Sequence, residues 1–119
     1  MKEEEKQLLF KDLCARLPYG VKILDIPANV IGDLYLVSTT DMVEYEPVDE
    51  TDDDNWTQTL YNIKPYLRPM SSMTEEEWDK LGKIYVAADE VDFYNSHHID
   101  YRGLIPMGLA LEAPEGMYK

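Results

Sequence analysis

A chain of 119 residues with 45% hydrophobic and 29% charged residues has the size and balance of one globular domain, 1–119, able to bury a core without a metal or disulfide staple. Its 24 acidic and 11 basic residues give a net charge of −13, which disfavours direct binding to nucleic acid or to an anionic membrane, because both draw affinity from Lys and Arg. A single cysteine excludes an internal disulfide framework, and neither a signal-peptide pattern nor an apolar run of about 18 residues is present, so the cytoplasm is the expected compartment.

Residues 3–17 carry the period of an amphipathic helix. Leu9, Leu13 and Leu17 recur every fourth residue, and Phe10 and Cys14 widen the stripe, so Cys14 is expected as a small buried hydrophobe. Glu3, Glu4 and Glu5 complement the helix dipole in the first turn and Arg16 does so in the last, before Pro18 stops the helix.

From residue 21 the period becomes strand-like. The stretches 21–26, 33–39, 42–48 and 56–63 are rich in β-branched and aromatic residues, with turns expected at Pro27–Asn29 and at Gly32-Asp33. Pro27 and Pro47 require strand-end or edge positions. Between the third and fourth stretches lies the acidic run 49–55. It lacks the glycine and the bidentate glutamate that an EF-hand calcium loop requires, so it reads as a solvated hairpin loop. The segment 64–73, "KPYLRPMSSM", reads as a connector in which Tyr66 and Arg68 offer the residue types that anchor protein interfaces.

"MTEEEW" (73–78) is a capping box: Thr74 is the N-cap and Glu77 reaches back to it, with Met73 and Trp78 at the positions of a hydrophobic staple. That helix is expected to end at Gly82, to be followed by a short strand at 83–87 and by a second helix from an Asp89 N-cap to His98. Leu104, Ile105, Leu109 and Leu111 argue that the Gly/Pro-punctuated tail docks on the body.

The one suggestive constellation is "HHIDYR" at 97–102. Adjacent helical side chains diverge by about 100°, so His97 and His98 are poorly placed to grip one ion, and a metal or acid–base site built from His97, His98 and Asp100 is the weaker reading. A helix terminus is the stronger one, with the histidines on the last carbonyls and with Asp100 and Arg102 paired locally or tying the tail down. No nucleophile elbow, phosphate loop or metal-spaced cysteine set is present, and no cofactor is expected.

The segments "KDLCARLPYGVK" (11–22), "KPYLRPMSSMTEEE" (64–77) and "HHIDYRGLIPMGLALEAPEGMY" (97–118) resemble a set of small uncharacterised proteins from gut-bacterial genomes, often in phage-like or mobile-element surroundings. The resemblance implies a cytoplasmic bacterial protein of mobile-element origin and carries over no activity and no catalytic residue.

The expected fold is α+β: an N-terminal helix, a small antiparallel sheet of three to five strands that stays open or curls into an SH3-like barrel, two later helices and a docked tail. The expected function is a non-enzymatic, acidic protein–protein interaction module with Tyr66, Arg68, Tyr101 and Arg102 as its contact residues; its abundant tyrosine (nine residues) suits a contact surface. Two alternatives stand beside it: an acidic mimic of DNA that inhibits a DNA-binding protein, and a hydrolytic or metal-dependent enzyme using the 97–102 cluster.

Overall fold

The computed structural model describes residues 1–48 and 55–118; the acidic segment 49–54, expected as a solvated loop, lies outside them. Helix α1 (Glu3–Arg16) starts where the Glu5 carboxylate accepts the Lys2 N–H at 2.9 Å. It stops at a single 3-10 turn, Leu17–Tyr19, with Gly20 left-handed at φ 75°. Its buried face is Leu9, Asp12, Leu13 and Arg16, so an ion pair sits on the side facing the core. Cys14 is exposed, contrary to the sequence expectation, because the face turned inward is centred on 9, 13 and 16.

Six strands follow in one sheet: β1 (Lys22–Asp25), β2 (Val30–Val37), β3 (Met42–Pro47), β4 (Trp56–Thr59), β5 (Ile63–Leu67) and β6 (Leu111–Glu112), in the order β4-β3-β2-β1-β5-β6. All ladders are antiparallel except the β5–β6 pair, which is parallel. Burial alternates residue by residue along β1, β3 and β5, as expected for strands with one face on a core.

Three strand boundaries differ from the sequence expectation. The segment Gly32-Asp33 is not a turn: it lies inside β2, paired with β3, and the turn falls earlier, at Asn29, which takes φ 54°. Gly32 is required there by close approach, since an added Cβ would collide with the Tyr45 ring and lie 2.8 Å from the Glu46 carbonyl. The stretch 56–63 is not one strand but β4, a 3-10 turn at Leu60–Asn62, and the first residue of β5. The supposed connector from Lys64 to Leu67 is β5 itself, with Pro65 in a ladder opposite Ile23.

The sheet is open, and among the described residues no ladder joins β4 to β5 or β6. It cannot be flat, however. Four strand spacings of about 4.8 Å would separate β4 from β5 by about 19 Å, and the three-residue link spans at most about 14 Å. The link is held by backbone bonds on both sides: Leu60 N–H donates to the Asp41 carbonyl (2.8 Å) and Ile26 N–H to that of Asn62 (2.9 Å).

Helix α2 (Glu75–Leu81) starts at the expected capping box: Glu77 N–H donates to Thr74 Oγ1 at 3.2 Å and Thr74 N–H to Glu77 Oε1 at 2.9 Å. Met73 is buried but Trp78 is exposed, and Leu81 and Ile84 share the Met73 cluster. Residues 83–86 form no strand; the chain turns through Lys83 and Ile84 into helix α3 (Ala87–Ser96). Asp89, expected as its N-cap, instead lies in the first turn, where its charge serves the dipole equally well.

Two clusters organise the apolar interior. The larger joins Leu9 and Leu13 of α1 to Ile23, Leu34, Val43, Tyr45, Ile63 and Leu67 of the sheet and to Leu104, Leu109 and Ala110 of the docked tail. The smaller holds Met73, Phe93 and Ile99, with Met70, Leu81, Ile84 and Tyr94 partly buried against it. Among the described residues no helix is long and apolar enough to cross a membrane.

Candidate functional site around the 97–102 turn

The end of α3 is fixed by backbone geometry. His97 caps the helix, His98 takes the left-handed conformation at φ 60°, and the turn is then stitched to the end of β5. Arg68 N–H donates to the His98 carbonyl at 2.7 Å, and Asp100 N–H to that of Arg68 at 2.8 Å.

The three candidate metal ligands diverge from this turn. The His97 ring stacks on Phe93 with centroids 4.2 Å apart, and its Nδ1 lies 2.9 Å from the Phe93 carbonyl, the helix-terminal use expected of it. The His98 ring stacks on Tyr118 at 3.7 Å. Asp100 is buried, its two oxygens accepting the N–H groups of Leu104 (2.8 Å) and Ile105 (2.9 Å). Among the described residues no group of three His, Cys, Asp or Glu side chains could hold a metal ion.

Arg102 does not pair with Asp100, whose oxygens are already taken. Its Nε donates to Asp12 Oδ1 at 3.1 Å and its Nη2 to the Tyr101 hydroxyl at 2.8 Å, with the guanidinium over the Tyr101 ring. The second Asp12 oxygen accepts from Arg16 Nε at 2.8 Å, and Arg16 Nη2 reaches the Ile99 carbonyl at 2.7 Å. Asp12 and Arg16 side chains are fully buried, so one carboxylate in the interior balances two guanidinium groups. The cluster ties α1 to the far end of the chain, and nothing in the sequence marked Asp12 or Arg16 for it.

Arg68 plays a matching part on the other side of the turn. Its guanidinium grips both oxygens of Glu77, at 2.6 and 2.9 Å, and also reaches Ser72 and the His97 carbonyl. This fork holds the Glu77 carboxyl down to about 2. The capping box was the sequence signal at Glu77; that its carboxylate would also serve Arg68 was not legible. Burial, with the positive charges of Arg16 and Arg68 nearby, lowers His98 to about 4, so its ring is neutral at pH 7.

Tyr66 is half-buried, and its carbonyl accepts the Tyr118 hydroxyl at 2.7 Å. The same hydroxyl accepts Lys22 N–H at 2.8 Å, so Tyr118 pins the tail across β1 and β5; burial pushes its phenol well above the ordinary range. The structure thus sets Tyr66 and Arg68 on the β5 side and Tyr101 and Arg102 against α1, and both arginines are occupied by internal carboxylates.

Two adjoining clefts share Arg68 and Tyr118 as walls. One, about 870 Å³, runs between the start of α2 and tail residues 112–116. The other, about 330 Å³, lies among Gly20, Lys22, Ser96, the two histidines and Met117. Compared with family models, curated proteins and solved structures, the chain finds no match.

Proposed function

We propose that the protein is a non-enzymatic interaction module that docks a basic protein partner on its α2–α3 lobe. One observation carries this reading: Tyr85 is 94% exposed, Val86 56% and Trp78 47%, all within nine residues of chain on the least buried part of the fold. Large aromatic side chains left in water are the usual anchors of interfaces. In the same stretch of chain Glu75, Glu76, Asp79, Asp89, Glu90 and Asp92 are exposed and outnumber the exposed Lys80 and Lys83. A partner with basic residues flanking an apolar anchor complements this surface, and the net charge of −13 steers such a partner toward it.

On this reading Arg68 and Arg102 serve the module as internal braces, Tyr101 borders the docking lobe through its stack on Tyr94 of α3, and Tyr66 stays in β5 against the tail. The cytoplasm of a bacterial cell and a mobile-element origin belong to the same proposal.

The test is capture from host lysate by the wild-type chain and by a Trp78→Ser, Tyr85→Ser variant at about 0.15 M and about 0.5 M salt, a contrast that screens exposed charges. A basic partner held by the wild type and weakened at least about tenfold in the variant is the expected result. No retained partner, or one that the variant holds equally well, would remove the lobe as the docking face.

A further inference from the structure

The smaller cleft departs from the charge balance of the chain. In a protein with 24 acidic residues, its lining includes Lys22, Arg68, His97 and His98 and, among the described residues, no Asp or Glu. Its volume of about 330 Å³ is at the lower end of sites that enclose small ligands. Glu77 and Asp33 brace Arg68 and Lys22 without themselves lining the cleft.

The donors differ in what they leave free. Every N–H of Arg68 is bonded to Glu77, Ser72 or the His97 carbonyl, so Arg68 contributes a wall and positive potential. Among the described residues Lys22 Nζ bonds to Asp33 alone, at 2.7 Å, in a partly exposed pair that an incoming anion can contest. His97 Nδ1 is engaged by the Phe93 carbonyl, which leaves Nε2 open; that nitrogen donates when the ring is protonated. His98 Nδ1 is buried without a partner among the described residues, and an unpaired lone pair there costs less than an unpaired N–H, so the neutral ring carries its proton on Nε2. Burial, and after it the positive charges of Arg16, Arg68 and Lys22, oppose protonation of His98.

We propose that this cleft, between the end of α3, Lys22 and Tyr118, binds a small oxyanion (a phosphate or carboxylate group) through the Lys22 ammonium and His98 Nε2–H, with the His97 ring in its wall. The site uses none of Trp78, Tyr85 and Val86 and does not depend on the docking reading. His98 is fixed from below by its stack on Tyr118, and the left-handed turn at residue 98 orients it.

The chain has two histidines and both line the cleft, so imidazole NMR signals read the site directly. The full-length protein is titrated with inorganic phosphate and, separately, with acetate, at an ionic strength held constant with sodium chloride. Saturable shifts of both rings are expected, with protonation of His98 favoured on binding. Lys22→Gln, checked for an unchanged thermal transition, weakens the anion about tenfold, as loss of one charge-assisted bond requires. His98→Asn keeps the left-handed turn and gives the same loss with His97 as reporter. Saturation by phosphate alone assigns a phosphate ligand, and saturation by acetate assigns a carboxylate. Drift that tracks chloride without saturating, or binding equal in both variants and the wild type, overturns the proposal.

Discussion

The sheet with α1 and the lobe of α2 and α3 are built from the same chemistry in different proportions. In the first, Leu9, Leu13, Ile23, Val43, Leu60 and Leu67 are wholly buried, and β1, β3 and β5 give every second side chain to the interior. In the second, α2 buries no residue and α3 buries only Phe93 and Asn95, with Tyr85 and Trp78 left in water. Apolar burial is what resists local opening, so the first region carries the stability of the fold, while the lobe is held by Met73, Phe93, Ile99 and the Arg68–Glu77 fork. A fold divided this way keeps the proposed docking surface apart from the residues that keep it folded.

The largest effect is expected where the two regions are joined. Asp12→Ala leaves Arg16 charged and buried without its carboxylate, which costs about 3–5 kcal/mol. Chemical denaturation should then show global unfolding at markedly lower urea. A loss under about 1 kcal/mol would mean that the cluster is far better hydrated than its burial implies.

Phe93→Ala is next. It removes about 3 kcal/mol of packing, from the lobe alone. Hydrogen exchange should lose protection across 75–96 and keep it in β1 to β3, whereas Leu13→Ala, in the main cluster, lowers protection everywhere. If Phe93→Ala strips β1 to β3 as well, the two regions open as one unit and the division fails.

The smallest effect sharpens the comparison through pH. Glu77→Gln breaks the fork at a cost of about 1–2 kcal/mol near neutrality. The carboxyl of Glu77 is depressed in the folded state, so its contribution is complete above the ordinary carboxylate value of about 4.3 and is lost as pH falls toward about 2. Thermal melts of the two proteins should therefore converge on acidification from pH 5 to 2. A gap that stays constant over that range would show that the cost comes from packing, and that the carboxylate charge contributes nothing.

What was legible in the sequence was local. The Thr74–Glu77 box was readable because both of its bonds lie within one turn, and the strands at 21–26 and 42–48 because period-two burial is written in neighbouring residues. The interior ion cluster was not. An acid and a base four residues apart on a helix, as Asp12 and Arg16 are, ordinarily mark its wet face, and the partners that draw them inward, Ile99 and Arg102, lie more than eighty residues away. Pro65 hid β5 because a proline argues against a paired strand, and Gly32 read as a turn because only the ring of Tyr45, on the next strand, explains its missing side chain. At the candidate site, the histidines were read correctly as a helix end, but the Tyr118 stack that fixes His98 left no trace in local pattern.

The bond from Arg16 to the Ile99 carbonyl closes a loop of 83 residues. Strands β1 to β4 can zip as successive hairpins, each paying little chain entropy, while this contact bears the closure entropy of its whole loop unless the sheet and lobe form first, which favours its forming late. An interaction made that late is absent from the folding transition state, so weakening it leaves the folding rate nearly unchanged and shortens the lifetime of the folded molecule. The buried arginine of α1 thus sets how long the protein stays folded more than how fast it gets there.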